Sequence, residues 1–357
     1  MINYLNQFLN KIKNGSIGYR IVIGFILLFY ISIILMAVIK TDYYMLTPGT
    51  VSSVGSVIEL DTDYTSGEVY TVSVFENQRI SVLNYIIASF EKNVEINKLP
   101  ENTMSQRNED IKGYLLKQTS INASIIVAYN EAKLKDDSIQ IKSQFLGYVV
   151  CNRVEGVDED LHLEDIITHV NDIKITSFEQ MQSIIKDAKN SKVKTIKMTV
   201  LRDGKIDGRI NDDATKLKSY NLTISLNNLT FSVLPYYDII ESETKPSFTI
   251  NNNKVQGSSG GLMQTIAIYN ALTKGDITKN KIIMGTGSID VDGNVGEIGG
   301  EKQKVITADL YSADIFFVPE DNYESALEEY QRIKNPDFKL VKVKTFTDAL
   351  AELERIE

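Results

Sequence analysis

Cysteine and histidine are nearly absent from this chain. Its 357 residues include one cysteine, Cys151, and two histidines, His162 and His169. A single thiol allows no intrachain disulfide and no cysteine zinc cluster. Two histidines seven residues apart leave little for a histidine-based catalytic triad elsewhere in the chain. No GxxxxGK[ST] loop occurs, so a P-loop nucleotide site is excluded. Basic residues are also in deficit, 38 Lys+Arg against 47 Asp+Glu, for a net charge of −9 and a pI of about 5.0. That balance argues against a nucleic-acid surface. The expected inventory therefore holds no metal, no nucleotide, no other cofactor and no nucleic-acid partner.

Apolar residues are plentiful, at 43%, and one run stands apart. Residues 21–39 carry no charge and are bounded by Arg20 and Lys40. As a helix this run extends ~28 Å, close to a bilayer's hydrocarbon thickness. Met36-Ala37-Val38-Ile39-Lys40 lacks the small-residue cleavage site of a signal peptide, so we read an uncleaved anchor. Lys11, Lys13 and Arg20 precede it. By the positive-inside rule residues 1–20 are cytoplasmic and the chain beyond about residue 42 lies outside. Ile2, Leu5, Phe8, Leu9 and Ile12 share one face, which predicts a short interfacial helix over 2–13.

The outer part changes rhythm along its length. Residues 43–137 read as an α/β region: strand-like to about Phe75, a helix over 80–91, a polar loop over 98–108, and a long helix over 108–134. Residues 140–205 form a second unit, with a strand around Phe145-Leu146-Gly147-Tyr148-Val149, the segment Leu163-Glu164-Asp165-Ile166-Ile167, a helix over 178–188 and a closing strand. Residues 206–225 are polar and read as a linker. From 226 to 357 strands and helices alternate, with a hairpin turn at Asp292-Gly293. The expected fold class is α+β, with the α/β layout as its neighbour.

Gly257-Ser258-Ser259-Gly260-Gly261 leads directly into an apolar helical stretch, 262–272. A serine there has an exposed hydroxyl, backbone N–H groups and the positive end of a helix dipole nearby. That setting suits a nucleophile whose attack generates an oxyanion, and equally a loop with a serine N-cap. The hydroxyl needs a base. A buried lysine with a lowered pKa can serve, and Lys302 and Lys304 lie at a helix start after Gly299-Gly300. Asp309 shares a face with Lys302, which tips the choice toward Lys304.

Two family resemblances sharpen these readings. Residues 140–205 resemble a PDZ domain of the bacterial protease-associated type, through Leu146-Gly147-Tyr148-Val149, Leu163-Glu164-Asp165-Ile166-Ile167 and Asn171-Asp172. That family usually has glycine where Glu164 stands. The resemblance implies that a peptide adds as a strand beside Leu146–Val150, with its carboxylate near the amides of Leu146, Gly147 and Tyr148. Residues 255–320 resemble the proteolytic domain of Lon-type serine proteases. Gly257-Ser258-Ser259-Gly260-Gly261 stands for G-P-S-A-G. Thr286-Gly287-Ser288-Ile289, Gly293 and Ile298-Gly299-Gly300 stand for T-G-E-I, G and I-G-G, and Phe317-Val318-Pro319 matches a strand end.

Carried over by position, this resemblance makes Ser259 the nucleophile and Lys304 the general base. Thr286 orients the lysine, and the amides of Gly257 and Ser259 are oxyanion donors. Gln256, Ser258 and Ser288 depart from the family pattern. Anchor, PDZ-like unit and Lon-type domain without an ATPase together resemble the bacterial membrane-anchored PDZ–Lon protease family. The resemblance implies a single-pass cell-membrane protein, cytoplasmic at its N-terminus. It would be an ATP-independent Ser-Lys endopeptidase acting outside on exposed or unfolded exported or membrane proteins or peptides, with the PDZ unit recruiting or gating. Residues 43–137 would supply the first part of the protease fold, the PDZ unit being inserted, and assembly as a homo-oligomer is allowed. The alternative is a catalytically inactive, PDZ-containing peptide-binding adaptor.

Overall fold

The computed structural model describes residues 4, 7, 11–63, 65, 67–100, 105–153, 160–202, 217–227, 229–251 and 256–356. Ile2, Leu5, Phe8 and Leu9 of the expected interfacial helix, residues 206–216 of the expected linker, and Lys254-Val255 lie outside these residues. The chain divides into two compact units, one of 1–47 and 75–101, the other of 48–74 and 102–357.

The first unit begins with helix α1 (Ile17–Val38), whose first turn is capped by the Ser16 hydroxyl accepting from the Tyr19 N–H. All 22 residues lack burial, and α1 is long and apolar enough to cross a membrane. Strand β1 (Tyr43–Ser53) follows it in the chain; its residues beyond 47, then β2 (Ile58–Leu60) and β3 (Val69–Asn77) up to residue 74, belong to the second unit. Helix α2 (Val82–Ala88) and strand β4 (Glu95–Lys98) complete this unit, β4 pairing antiparallel with Tyr43–Leu46. The division between units cuts through β1 and β3.

The second unit holds the long helix α3 (Gln106–Lys133) and then a sheet built by β5 (Ser143–Arg153), β6 (Ile166–Val170), the short β7 (Ile173–Lys174), helix α4 (Phe178–Asn190), β8 (Thr195–Arg202), β9 (Lys218–Ser225) and β10 (Phe231–Ile239). Its order is β10-β5-β6-β8-β9, antiparallel throughout. Period-two alternation sends Tyr148, Val150, Ile167, Met198 and Val200 to the face covered by Met181 and Ala188 of α4. Val149, Cys151, Ile166 and Tyr236 point the other way, onto Leu115 of α3. Asp165 is fully buried and accepts from Nε and Nη2 of Arg202 at 2.6 and 2.7 Å. Glu164 has φ of 74°. The backbone here is left-handed, the region that favours glycine.

Two expectations change here. Residues 218–225 are not linker but strand β9. Only one face of this edge strand is covered, so Ile224 is buried among exposed polar neighbours and the stretch reads as polar. More consequentially, β5 is paired on both sides. Tyr148 and Val149 pair with Ile167 and Ile166, while β10 runs antiparallel along all of β5, with Leu234 opposite Val149 and Tyr236 opposite Gly147. The edge beside Leu146–Val150, expected to receive a peptide, is filled by the chain itself. Gly147 has a packing role: a Cβ there would lie 2.3 Å from the Ile167 carbonyl oxygen.

The remaining elements are β11 (Phe248–Ile250), α5 (Gly261–Leu272), β12 (Ile283–Gly285), the hairpin β13 (Ser288–Ile289) and β14 (Val295–Gly296), α6 (Glu301–Leu310), β15 (Ile315–Pro319), α7 (Tyr323–Arg332), β16 (Lys339–Val343) and α8 (Phe346–Glu354). The hairpin turns at Asp290–Asn294, with Gly293 at φ of 81°. Strands β16, β15, β12 and β3 pair in that order, all parallel, and β1 flanks β3. Ile283, Ile315, Phe317 and Val341 face a core shared with α3, α5 and α8. Met284, Phe316 and Val318 face the opposite core, with Val305 and Ala308 of α6 and Ala326 of α7. Helices thus cover both faces of a parallel sheet, the layered α/β arrangement. Strands from the 43–74 stretch belong to the same sheet as those after residue 280. The chain as a whole is mixed α/β.

Candidate active site

The GSSGG turn lies between α3 and the end of β12. Helix α5 starts at Gly261 and every one of its residues is buried. Such a helix cannot shift to suit the turn, so the turn inherits a fixed position. The Gly257 N–H donates to the Gly113 carbonyl of α3 at 2.9 Å. The Ser258 carbonyl accepts from the Ser120 hydroxyl at 3.0 Å and from the Gly261 N–H at 3.1 Å. The Ser259 carbonyl accepts from the Gly287 N–H at 2.8 Å and the Thr286 hydroxyl at 3.1 Å. With these carbonyls pinned, the N–H groups of Ser258, Ser259 and Gly260 find no acceptor among the described residues. They sit at the N-terminal, positive end of α5.

Gly257, expected as an oxyanion donor, does not fill that role here, because its N–H is committed to Gly113. The Ser259 N–H, the other expected donor, is uncommitted, and that of Gly260 joins it. Ser259 itself is only half-buried, so the turn is reachable from solvent.

Lys304 and Lys302 separate cleanly. On α6, Lys302 turns outward and pairs with Glu328 at 3.3 Å. Lys304 points inward and is 2% exposed. Its Nζ donates to the Thr286 hydroxyl oxygen at 3.0 Å. Burial pulls its pKa from the usual lysine value of 10.5 to about 8, although the Glu301 charge pulls the other way. Glu301 is itself held by the Ser325 hydroxyl at 2.6 Å.

Thr286 joins the two halves. It is fully buried at the end of β12, its N–H donating to the Phe317 carbonyl at 2.9 Å. Its one hydroxyl proton goes to the Ser259 carbonyl, so toward Lys304 it can only accept. That leaves a neutral Lys304 amine its lone pair, free to take a proton. Lys117 on α3 is a second buried lysine with a pKa lowered by burial. Of the two, Lys304 is the one bonded to Thr286.

The histidines take no part in this arrangement. His169 belongs to β6, its Nδ1 2.9 Å from the Thr168 hydroxyl, and the His162 N–H donates to the Asp165 carboxylate at 2.8 Å. Cys151 is buried in β5, where burial pushes its thiol up. Among the described residues no group of three or more His, Cys, Asp or Glu is placed to hold a metal ion. Gly113, Ser120 and Ser124 were not expected as site residues. Ser124 donates to the Gly261 carbonyl at 3.0 Å, and Gly113 admits Gln256, whose Oε1 would lie 2.7 Å from any added Cβ.

Residues 252–354, which hold the turn, Thr286 and Lys304, match the family described as the Lon protease (S16) C-terminal proteolytic domain. The chain carries a Lon-type proteolytic domain. A curated relative, the Lon protease of Metamycoplasma arthritidis (strain 158L3-1), is 35% identical over 92 residues. That alignment covers 26% of this chain and 11% of the relative. The chain thus spans about a tenth of the length of the relative it matches. The presence of a Lon-type domain supports protease activity.

Proposed function

We propose that this chain is a serine endopeptidase in which Ser259 attacks and Lys304 is the general base. The observation that carries the reading is the buried Lys304 amine, lowered to about 8 and tied through Thr286 to the Ser259 carbonyl. A base poised near neutrality is what proton abstraction from a serine hydroxyl requires.

The steps follow from those positions. Neutral Lys304 takes the Ser259 Oγ proton as Oγ bonds to the scissile carbonyl carbon. The carbonyl oxygen becomes an oxyanion, accepted by the Ser259 and Gly260 N–H groups at the head of α5. The intermediate collapses, the C–N bond breaks, and the Lys304 ammonium returns its proton to the leaving amine. An ester on Ser259 remains. Lys304 then deprotonates a water, the water oxygen adds to the ester carbon, and collapse releases the acid while Ser259 Oγ recovers a proton.

In this reading α1 is an anchor that holds the chemistry at a membrane, and the charge bias of Lys11, Lys13 and Arg20 favours the outer side. In this reading the enzyme cleaves segments that are already exposed or unfolded, which reach a half-buried serine without being pulled apart first. The PDZ-like unit, with α3 on one sheet face, α4 on the other and β10 along β5, acts in this reading as a closed flank of the protease rather than as a strand-capture groove. The same occupancy counts against the adaptor alternative, whose peptide edge is filled. Cleavage of an unfolded substrate by the full chain, Ser259→Ala and Lys304→Ala tests the proposal. Loss in both variants supports the dyad. Retained cleavage in either one removes that residue from the mechanism.

A further inference from the structure

Helix α2 presents large apolar side chains to solvent. Phe90, in the turn that closes α2, is 83% exposed, more than any other large apolar side chain among the described residues. Ile87 is 54% and Ile86 42% exposed. Spaced i, i+1 and i+4, the three lie on one helix face. A patch of this kind in a folded protein marks a surface that something else covers.

Its position says what covers it. At 1.5 Å per residue, α1 extends ~33 Å, slightly more than the hydrocarbon core of a bilayer, so Val38 lies near the far boundary of that core. Ile39, the next residue, accepts the Val82 N–H through its carbonyl at 3.0 Å. Lys40 bridges Ser81, and Thr41 donates to the Ile80 carbonyl at 2.9 Å. The first residue of α2 is therefore one hydrogen bond from the end of the spanning helix, and α2 lies against α1. Lys40 and Lys92 flank it, both exposed, as lysines do where they reach for lipid phosphates. A helix held at that depth with Ile86, Ile87 and Phe90 unburied meets acyl chains and headgroups before it meets another protein.

We propose that α2 is a second membrane contact, lying in the outer interface with Ile86, Ile87 and Phe90 buried among lipid. The proposal rests on the anchor reading of α1 and goes beyond it. α2 would fix the angle at which the chain leaves the bilayer, which a single spanning helix leaves free.

The chain has no tryptophan, so Phe90→Trp and Ile87→Trp each introduce a lone indole at a site open enough to accept it. The full chain is reconstituted into vesicles of equimolar phosphatidylcholine and phosphatidylglycerol, with and without phosphatidylcholine brominated on its acyl chains. Leu310→Trp, at a position 66% exposed in the other unit, serves as the aqueous reference. The expected result for both α2 variants is blue-shifted emission, quenching by brominated lipid and shielding from iodide, with the reverse for the reference. Quenching by iodide and not by brominated lipid overturns the proposal. Shielding from both also overturns it, by showing that protein, such as a second copy of the chain, covers the face. Flotation of the unsubstituted chain with vesicles after an alkaline wash separates the two levels. Failure to float removes the anchor and this inference together. Flotation with a water-exposed indole removes the inference alone.

Discussion

Replacing Lys304 by methionine should stabilise the protein at neutral pH while abolishing its activity. The amine is 2% exposed, and burial sets its folded pKa at about 8 against 10.5 for the free side chain. A base with a depressed pKa binds its proton more weakly in the folded state than in the unfolded one. Below pH 8 the fold bears the full cost of that difference, ~3 kcal/mol at 1.36 kcal/mol per unit. Between about pH 8 and 10.5 the unfolded chain still holds the proton while the folded one has released it. Stability therefore rises with pH across that window, and the cost is gone above it. Methionine keeps the apolar stem and removes the charge. It also removes the bond to Thr286, worth about 1 kcal/mol. Thr286 keeps its donor bond to the Ser259 carbonyl. The expected net gain at pH 7 is about 2 kcal/mol, shrinking through zero as the pH approaches 10.5. The assay is urea unfolding of the full chain in detergent micelles, wild type against Lys304→Met, at intervals from pH 7 to 10.5. A difference that stays flat with pH, or a variant less stable at pH 7, would refute the claim that the site holds a desolvated lysine. A gain here is also the mark of a catalytic site held at the expense of stability.

Three further outcomes are expected. With Lys304 as the base, kcat/KM should rise with pH and level off above about 8, losing about tenfold per unit below that; a profile that falls between pH 6 and 8 contradicts the assignment. Thr286→Val should lower kcat by about 10- to 100-fold, the worth of one or two buried hydrogen bonds, and Thr286→Ser should recover most of it; equal activities for the two variants would show that the hydroxyl is not used. Gly113→Ala gains about 1 kcal/mol of helix propensity but sets a methyl 2.7 Å from Gln256 Oε1; its melting temperature should change little while activity falls tenfold or more, and unaltered activity would mean the turn tolerates displacement.

Much of the site was legible in linear order, because each element of it is local. The glycines around Ser259, the Thr286-Gly287 pair and the lysine four past Gly300 keep their spacing within single turns and helix starts. Lys304, preferred over Lys302 in the sequence, also differs from it in burial: Lys302 reaches Glu328 at the surface, and Lys304 enters the core. What was not legible is contact between distant segments. Nothing near Gly257 announces that its amide belongs to Gly113 on another helix, and nothing near Ser258 announces Ser120. The same holds for β5. Its strand character and its Leu146-Gly147-Tyr148 segment were readable, and so was the alternation of 231–234, but not that the two pair along their whole length. Glu164 is a subtler case. A left-handed residue explains why glycine is expected there, and Asp165 anchored on Arg202 holds the neighbouring backbone while the glutamate occupies it. The polar stretch 218–225 hid a strand because one face of β9 is left to solvent, so one buried position of eight, Ile224, carried the signal.

The central claim is that the Ser259 hydroxyl is made nucleophilic by Lys304, and a serine-reactive fluorophosphonate probe tests it most directly. Mass spectrometry of the full chain after exposure at pH 8.5 should find the adduct on Ser259, with labelling lost in Ser259→Ala and strongly slowed in Lys304→Ala while Lys302→Ala labels as wild type. An unlabelled Ser259 in the wild-type protein, or labelling that persists unchanged in Lys304→Ala, would contradict the account.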